Sequence, residues 1–327
     1  MSDHAPAPSA HHHWLRRVIL SVVVSIIAYA IWVFYSDADR VTAALARMQV
    51  WQFALVLALS LLNYLLRFLR WQLYLRHFGH AIPWPTSLAY YVAGFALTTT
   101  PGKAGEAIRS FFLHRHGVRY TASIAALFAE RILDMLVMVL LSTLALLFFP
   151  EYRWLFLLTA LIVVVFMFAL RHVGRLRRQG DADSASRLRR ALHHALNMME
   201  MSGALMRGPL LPISIVLGLL AWGAEGLGFA LLVPFVGGEI DVAAGISIYS
   251  ASVLVGALSF IPGGLGGTEA VMSLLLTASG VDLAISVAAI LLCRLATLWF
   301  AVVIGGLVMG ALALRNDHEH GETHEAS

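Results

Sequence analysis

Two stretches decide the fold: Pro101-Gly102-Lys103-Ala104-Gly105-Glu106-Ala107-Ile108-Arg109 and Pro262-Gly263-Gly264-Leu265-Gly266-Gly267-Thr268-Glu269-Ala270. Each interrupts an apolar run. Proline and glycine stop or cap a helix, and a polar group just beyond them can sit at a fresh helix N-terminus. In apolar surroundings this predicts a discontinuous membrane helix. Its irregular backbone must face protein or a water-filled cavity, because lipid offers no hydrogen bonds. A plain turn between two ordinary spans is the alternative. The likeness between the stretches extends further, since Glu106 is followed 25 residues on by Arg131, and Glu269 is followed 25 residues on by Arg294. The same offset of 163 carries Asp134 to Thr297 and the apolar segment at Trp51 to the one at Pro212. Recurrence in this order predicts an internal repeat.

Composition supports a membrane setting. Of 327 residues, 59% are hydrophobic and only 13% charged, more apolar than soluble domains ordinarily are. Several runs are long enough to span about 30 Å of hydrocarbon. The net charge of +4 does not argue for nucleic acid, because the arginines fall between apolar segments. One cysteine, Cys293, excludes an intramolecular disulfide or a multi-cysteine metal site. No Walker loop or nucleophile elbow is present, and no cofactor or metal is expected.

Along the chain, residues 1–17 read as a cytoplasmic N-terminal tail and 18–35 as a retained first span, with Arg16 and Arg17 on the cytoplasmic side. A second span at 51–75 carries Arg67 and Arg70 on one face. Arg70 reads best as snorkelling to headgroups, and Arg67 as the deeper candidate for a lipid phosphate. Residues 86–116 read as a re-entrant hairpin entering from the cytoplasm, or else as two crowded spans. Residues 121–149 follow with Glu130, Arg131 and Asp134 inside, where charges are costly unless paired or wet. A structural salt bridge is the alternative to a functional cavity lining. Residues 154–170 return. The first membrane half is thus 18–170, and 171–209 form a basic cytoplasmic linker with an amphipathic helix at 187–201. The second half, 210–312, holds a span at 210–234 with Glu225, a hairpin at 243–279 with Thr268 as its cap, and a last span carrying Arg294. Residues 313–327 read as a disordered tail.

The expected fold is therefore all-α: a polytopic helical membrane protein with two inverted repeats, each containing a broken re-entrant hairpin, and both termini cytoplasmic. Inverted repeats with broken helices suit alternating access. The hinge candidates are Pro101, Gly102, Gly105, Pro262, Gly263, Gly266 and Gly267. The substrate-binding candidates are Arg67, Lys103, Glu106, Arg109, Arg131, Asp134, Glu269 and Arg294, whose bases suit an anionic phosphate and whose acids balance them or take a cationic headgroup.

The Pro101–Arg109 motif, Glu130-Arg131-Ile132-Leu133-Asp134 and Ile261–Ala270 together resemble the lysylphosphatidylglycerol synthase transmembrane-region family, over residues 15–312. The resemblance implies the membrane module of the multiple peptide resistance factor, which moves aminoacylated phosphatidylglycerol. Other relatives are tied to lipid-linked sugars or hopanoid lipids. Synthase members carry a further soluble aminoacyl-transferase domain, which is not expected here, so the resemblance implies a translocase and not an enzyme. It implies a lipid flippase in a bacterial cytoplasmic (inner) membrane acting on a phospholipid or lipid-linked intermediate. The alternative is a membrane enzyme, or a partner of a separate lipid-modifying enzyme, in glycolipid, polyprenyl-phosphate or hopanoid metabolism. Partners implied are the membrane lipid, such an enzyme and a second copy in a homodimer, and no nucleic acid.

Overall fold

The computed structural model describes residues 37–100, 105–144, 197–259 and 261–325, with isolated positions between 153 and 168. The expected first span at 18–35 and most of the basic linker lie outside the described residues, as do Pro101, Gly102 and Lys103.

The described elements are helices: α1 (Ala38–Leu45), α2 (Val50–His77), α3 (Trp84–Ala93) with a 3-10 turn (Gly94–Leu97), α4 (Ile108–His114), α5 (Tyr120–Ser142), α6 (Leu210–Phe235), α7 (Val242–Leu258), α8 (Gly267–Ala278), α9 (Leu283–Arg294) and α10 (Phe300–Glu325). A π-helical turn, Leu295–Trp299, joins α9 to α10. Among the described residues, three stretches are long and apolar enough to cross a membrane: Val50–His77, Leu210–Phe235 and Leu283–Leu314. At 1.5 Å per residue each exceeds the roughly 30 Å of hydrocarbon. Helices α7 and α8 are apolar but shorter, at 17 and 12 residues.

Both interruptions fall where the sequence places them. Helix α3 is only 10 residues long and α4 only 7, with the chain leaving α-helix between them. The second break has a visible cause. Gly263, Gly264 and Gly266 have φ of 64°, 66° and 86°, a left-handed region open to glycine and strained for most residues. Thr268 does not cap α8. It is buried, and the N-cap is Gly266, whose amide is satisfied by Glu269 reaching back at 2.7 Å. Helix α10 runs past residue 312 to Glu325, because Ala311–His320 contains neither proline nor glycine to stop it.

Helix α6 is the hub, packing on α2, α5, α7 and α9. Among the described residues, two apolar clusters form the core. One gathers α1, α6, α7, α8 and α9. The other joins the C-terminal half of α2 with α3, α4 and the first half of α5. Helices α2 and α5 contribute to both, and Leu136 packs against both. The end of the linker belongs to the second cluster: Leu205 and Met206 are buried and the Ser202 hydroxyl donates to the Ala125 carbonyl at 2.9 Å. This segment docks on α5.

Helix α10 clasps the first break. A Cβ on Gly305 would lie 2.3 Å from the Ala96 backbone nitrogen and 2.7 Å from the Phe95 carbonyl carbon. Backbone atoms cannot yield as a side-chain tip can. Gly305→Ala is therefore expected to cost about 1–3 kcal/mol, read as a lower thermal unfolding midpoint in detergent. An unchanged midpoint would show that the clasp is loose.

Candidate functional site

A buried charged cluster forms where α2, α3, α4, α5 and α6 meet. Helix α2 supplies Arg67 and Arg70, three residues apart and so on one face. Helix α5 supplies Glu130, Arg131 and Asp134, and the chain just after the first break supplies Glu106 and Arg109. Arg70 donates to Asp134 Oδ1 at 2.5 Å, and the Trp222 indole donates to the same oxygen at 3.0 Å. Glu130 is the centre of the cluster. It accepts from Arg67 at 3.2 Å, from the Tyr91 hydroxyl at 2.7 Å and from Arg109 at 3.2 Å. Arg109 also pairs with the Glu106 carboxylate and reaches its backbone carbonyl at 3.1 Å. Thr98, on the near side of the break, donates to Glu106 at 2.7 Å. The two sides of the interruption are thus joined by one carboxylate. Aromatic faces shield the guanidinium groups: Arg109 lies 4.5 Å from the Tyr91 ring and 4.7 Å from Trp71, and Arg67 lies 5.1 Å from Trp222.

Arg131 behaves differently. Its Nη2 is 3.3 Å from Glu130, 3.5 Å from Glu106 and 3.5 Å from Asp134. None of these contacts is aligned as a hydrogen bond, and its Nε and Nη2 are buried without an acceptor. Its side chain is 18% exposed, while those of Arg67, Arg70 and Arg109 are 4%, 0% and 0% exposed. Among the described residues the cluster holds four guanidinium groups against three carboxylates, an excess of one positive charge (4 − 3 = 1). Arg67 Nε and Arg70 Nε and Nη1 are likewise buried donors without acceptors. Such groups are costly in hydrocarbon unless a ligand or water meets them.

The second break has a simpler centre. Arg294 donates to Glu269 at 2.5 Å and to the Gly263 carbonyl at 2.9 Å. One arginine thus staples the loop and the first turn of α8. Beside it the Tyr249 hydroxyl donates to Glu225 at 2.5 Å, and the Tyr64 hydroxyl donates to the Thr297 carbonyl in the π turn at 2.7 Å. The offset of 163 explains the contrast: Arg109, Glu130 and Asp134 correspond to Met272, Cys293 and Thr297. The Glu–Arg pair recurs and the other charges do not.

Arg67, Glu106, Arg109, Arg131 and Asp134 are therefore brought together, as are Glu269 and Arg294. Helix α6 touches both groups, Trp222 facing the first and Glu225 the second. Arg70 does not snorkel: its side chain is fully buried and ion-paired to Asp134 of α5, whose same oxygen also accepts from Trp222 of α6. Tyr91, Trp71 and Trp222 were not legible as site residues, since apolar helices carry aromatics everywhere. Glu130 was visible as a charge but not as the centre, which requires knowing that three other helices converge on it. Among the described residues no group of three or more His, Cys, Asp and Glu is placed to hold a metal ion.

Two relatives match nearly end to end. A UPF0104 membrane protein of Pyrococcus horikoshii is 23% identical over 320 residues, covering 89% of this chain and 96% of its own length. A UPF0104 membrane protein of Methanothermobacter thermautotrophicus is 24% identical over 313 residues, covering 87% and 92%. Both organisms are archaea, so the bacterial setting implied by the resemblance does not follow from these relatives. The family model described as the lysylphosphatidylglycerol synthase TM region matches residues 18–305, which takes in both breaks, both Glu–Arg pairs and the hub helix. This multi-pass helical membrane protein belongs to the lysylphosphatidylglycerol synthase TM region family.

Proposed function

We propose that this protein moves a lipid with a polar, phosphate-bearing headgroup across the cytoplasmic membrane. The observation that carries the reading is the buried excess of guanidinium groups beside a helix break, with N–H donors lacking acceptors and Arg131 partly open. A headgroup passing through hydrocarbon needs such a polar path, and an anionic phosphate both neutralises the excess and supplies oxygen acceptors. Family membership supports the same reading.

In this reading 86–116 and 243–279 are re-entrant hairpins of two inverted repeats, and the termini are cytoplasmic. Lys103 adds a base for the phosphate, and the hinge residues Pro101, Gly102, Gly105, Pro262, Gly263, Gly266 and Gly267 let each hairpin change its tilt around the charged centres. Residues flanking the two hairpins are expected to label from opposite membrane faces when single cysteines are placed there in a Cys293-free background. Labelling from one face would remove the inverted arrangement. The function itself is tested by reconstituting the full chain in liposomes with a fluorescent phosphatidylglycerol. The expected result is loss of the inner-leaflet protection from an impermeant quencher, at a rate rising with protein content. A rate equal to that of protein-free liposomes contradicts it.

A further inference from the structure

Helix α2 carries a polar stripe that the charged cluster uses only in part. Ser60, Asn63, Arg67, Arg70 and Tyr74 follow at intervals of three and four residues, which keeps them on one face. Between them stand leucines and aromatics, apart from Gln72. All five are buried. At 1.5 Å per residue the stripe runs about 21 Å along the helix, most of the roughly 30 Å of hydrocarbon. Polar groups over that length are costly on a face made only for packing.

The stripe faces α6 in antiparallel register. A Cβ on Gly228 would lie 3.5 Å from Val56 Cγ1, Trp222 lies 5.1 Å from the Arg67 guanidinium, and a Cβ on Gly218 would lie 3.2 Å from Arg70 Nη1. The Tyr74 hydroxyl stands beside Ser214. Asn63 falls between the first two of these contacts. Both polar atoms of its amide are buried without a hydrogen-bond partner, as are Arg67 Nε and Arg70 Nε and Nη1. Gly218 gives Arg70 no side chain to bind. Donors and an acceptor therefore continue along the seam beyond the charged cluster. A lipid headgroup supplies what they lack: phosphate oxygens for the guanidinium groups, and hydroxyl or ester oxygens for the amide.

Both helices also present apolar side chains outward. Leu61, Leu62 and Leu65 of α2 are exposed, and so are Ile213, Val216 and Leu220 of α6. A headgroup held between two such helices can leave its acyl chains in hydrocarbon.

We infer that the α2–α6 seam is the track of the headgroup. The two helices part, the headgroup moves along the stripe past Asn63, and the acyl chains stay in the bilayer. This inference rests on the lipid-moving reading and adds the route.

The test locks the seam. A Cβ on Gly228 would lie 3.9 Å from Leu59 Cβ, within the roughly 3.5–4.5 Å that separates the Cβ atoms of a disulfide. Leu59→Cys/Gly228→Cys is made in the full chain carrying Cys293→Ala and reconstituted in liposomes with fluorescent phosphatidylglycerol. Copper phenanthroline closes the bond, and an impermeant, non-reducing quencher reads lipid movement. The oxidised protein is expected to move lipid at least tenfold more slowly and to recover on reduction, while each single-cysteine variant ignores the oxidant. In the same Cys293-free chain, Asn63→Cys is expected to react with an impermeant thiol reagent and to lose lipid movement when it does. That arm decides the matter if the cross-link does not form, and the lock decides it if Asn63→Cys does not fold. The inference is overturned if the closed bond slows movement less than tenfold, or if Asn63→Cys moves lipid at full rate after exposure to the reagent. A parent chain that moves no lipid overturns the lipid-moving reading, and this inference with it. A parent chain that moves lipid and still does so through a locked seam overturns this inference alone.

Discussion

Asp134→Leu is expected to destabilise the protein by about 3–5 kcal/mol, the usual cost of removing one partner of a buried ion pair. Asp134 accepts from Arg70 at 2.5 Å and from Trp222 at 3.0 Å. Without it, Arg70 keeps a full charge at 0% exposure, and the described cluster holds four guanidinium groups against two carboxylates. The protein should insert poorly or elute as aggregate. Adding Arg70→Met should recover most of the loss, because the count returns to an excess of one and no buried charge is stranded. A double variant no more stable than Asp134→Leu alone would show that Arg70 and Asp134 do not act as a pair.

Arg131→Gln should do the opposite, leaving the fold intact while impairing lipid movement. Arg131 makes no aligned hydrogen bond to the cluster, and removing its charge balances three arginines against three carboxylates. Its side chain, 18% exposed where the other arginines of the cluster are closed off, is the one best placed to receive an incoming phosphate. A charge-assisted hydrogen bond contributes about 1.5–3 kcal/mol, so movement should fall by roughly 10- to 100-fold in a monodisperse protein with an unaltered unfolding midpoint. Near-normal movement would reduce the Glu106–Arg131 contact to a structural one.

These two outcomes also mark what could be read from residue types alone. Glu106, Arg131, Glu269 and Arg294 stood out because charges are rare in apolar helices and their 25-residue spacing recurs. The three long spans followed from length and hydropathy. What sequence could not supply was the partner across space. Arg70 looks like a residue at a helix end until Asp134 is seen to face it. Thr268 looks like a cap until Glu269 is seen to do that work. Gly305 carries no local signal at all, because its role is set by the backbone of Phe95 and Ala96 from the other half. The π turn after Arg294 is equally silent, and only the Tyr64 hydroxyl on its Thr297 carbonyl reveals what it presents.

A density map of the full chain in lipid nanodiscs, with the retained lipid identified by mass spectrometry, tests the central claim most directly. The lipid-moving account predicts a headgroup inside the bundle, its phosphate within hydrogen-bonding distance of Arg131 and close to the first break. Lipids confined to the outer apolar faces of α6 and α10, with the charged cluster closed and dry, would contradict it.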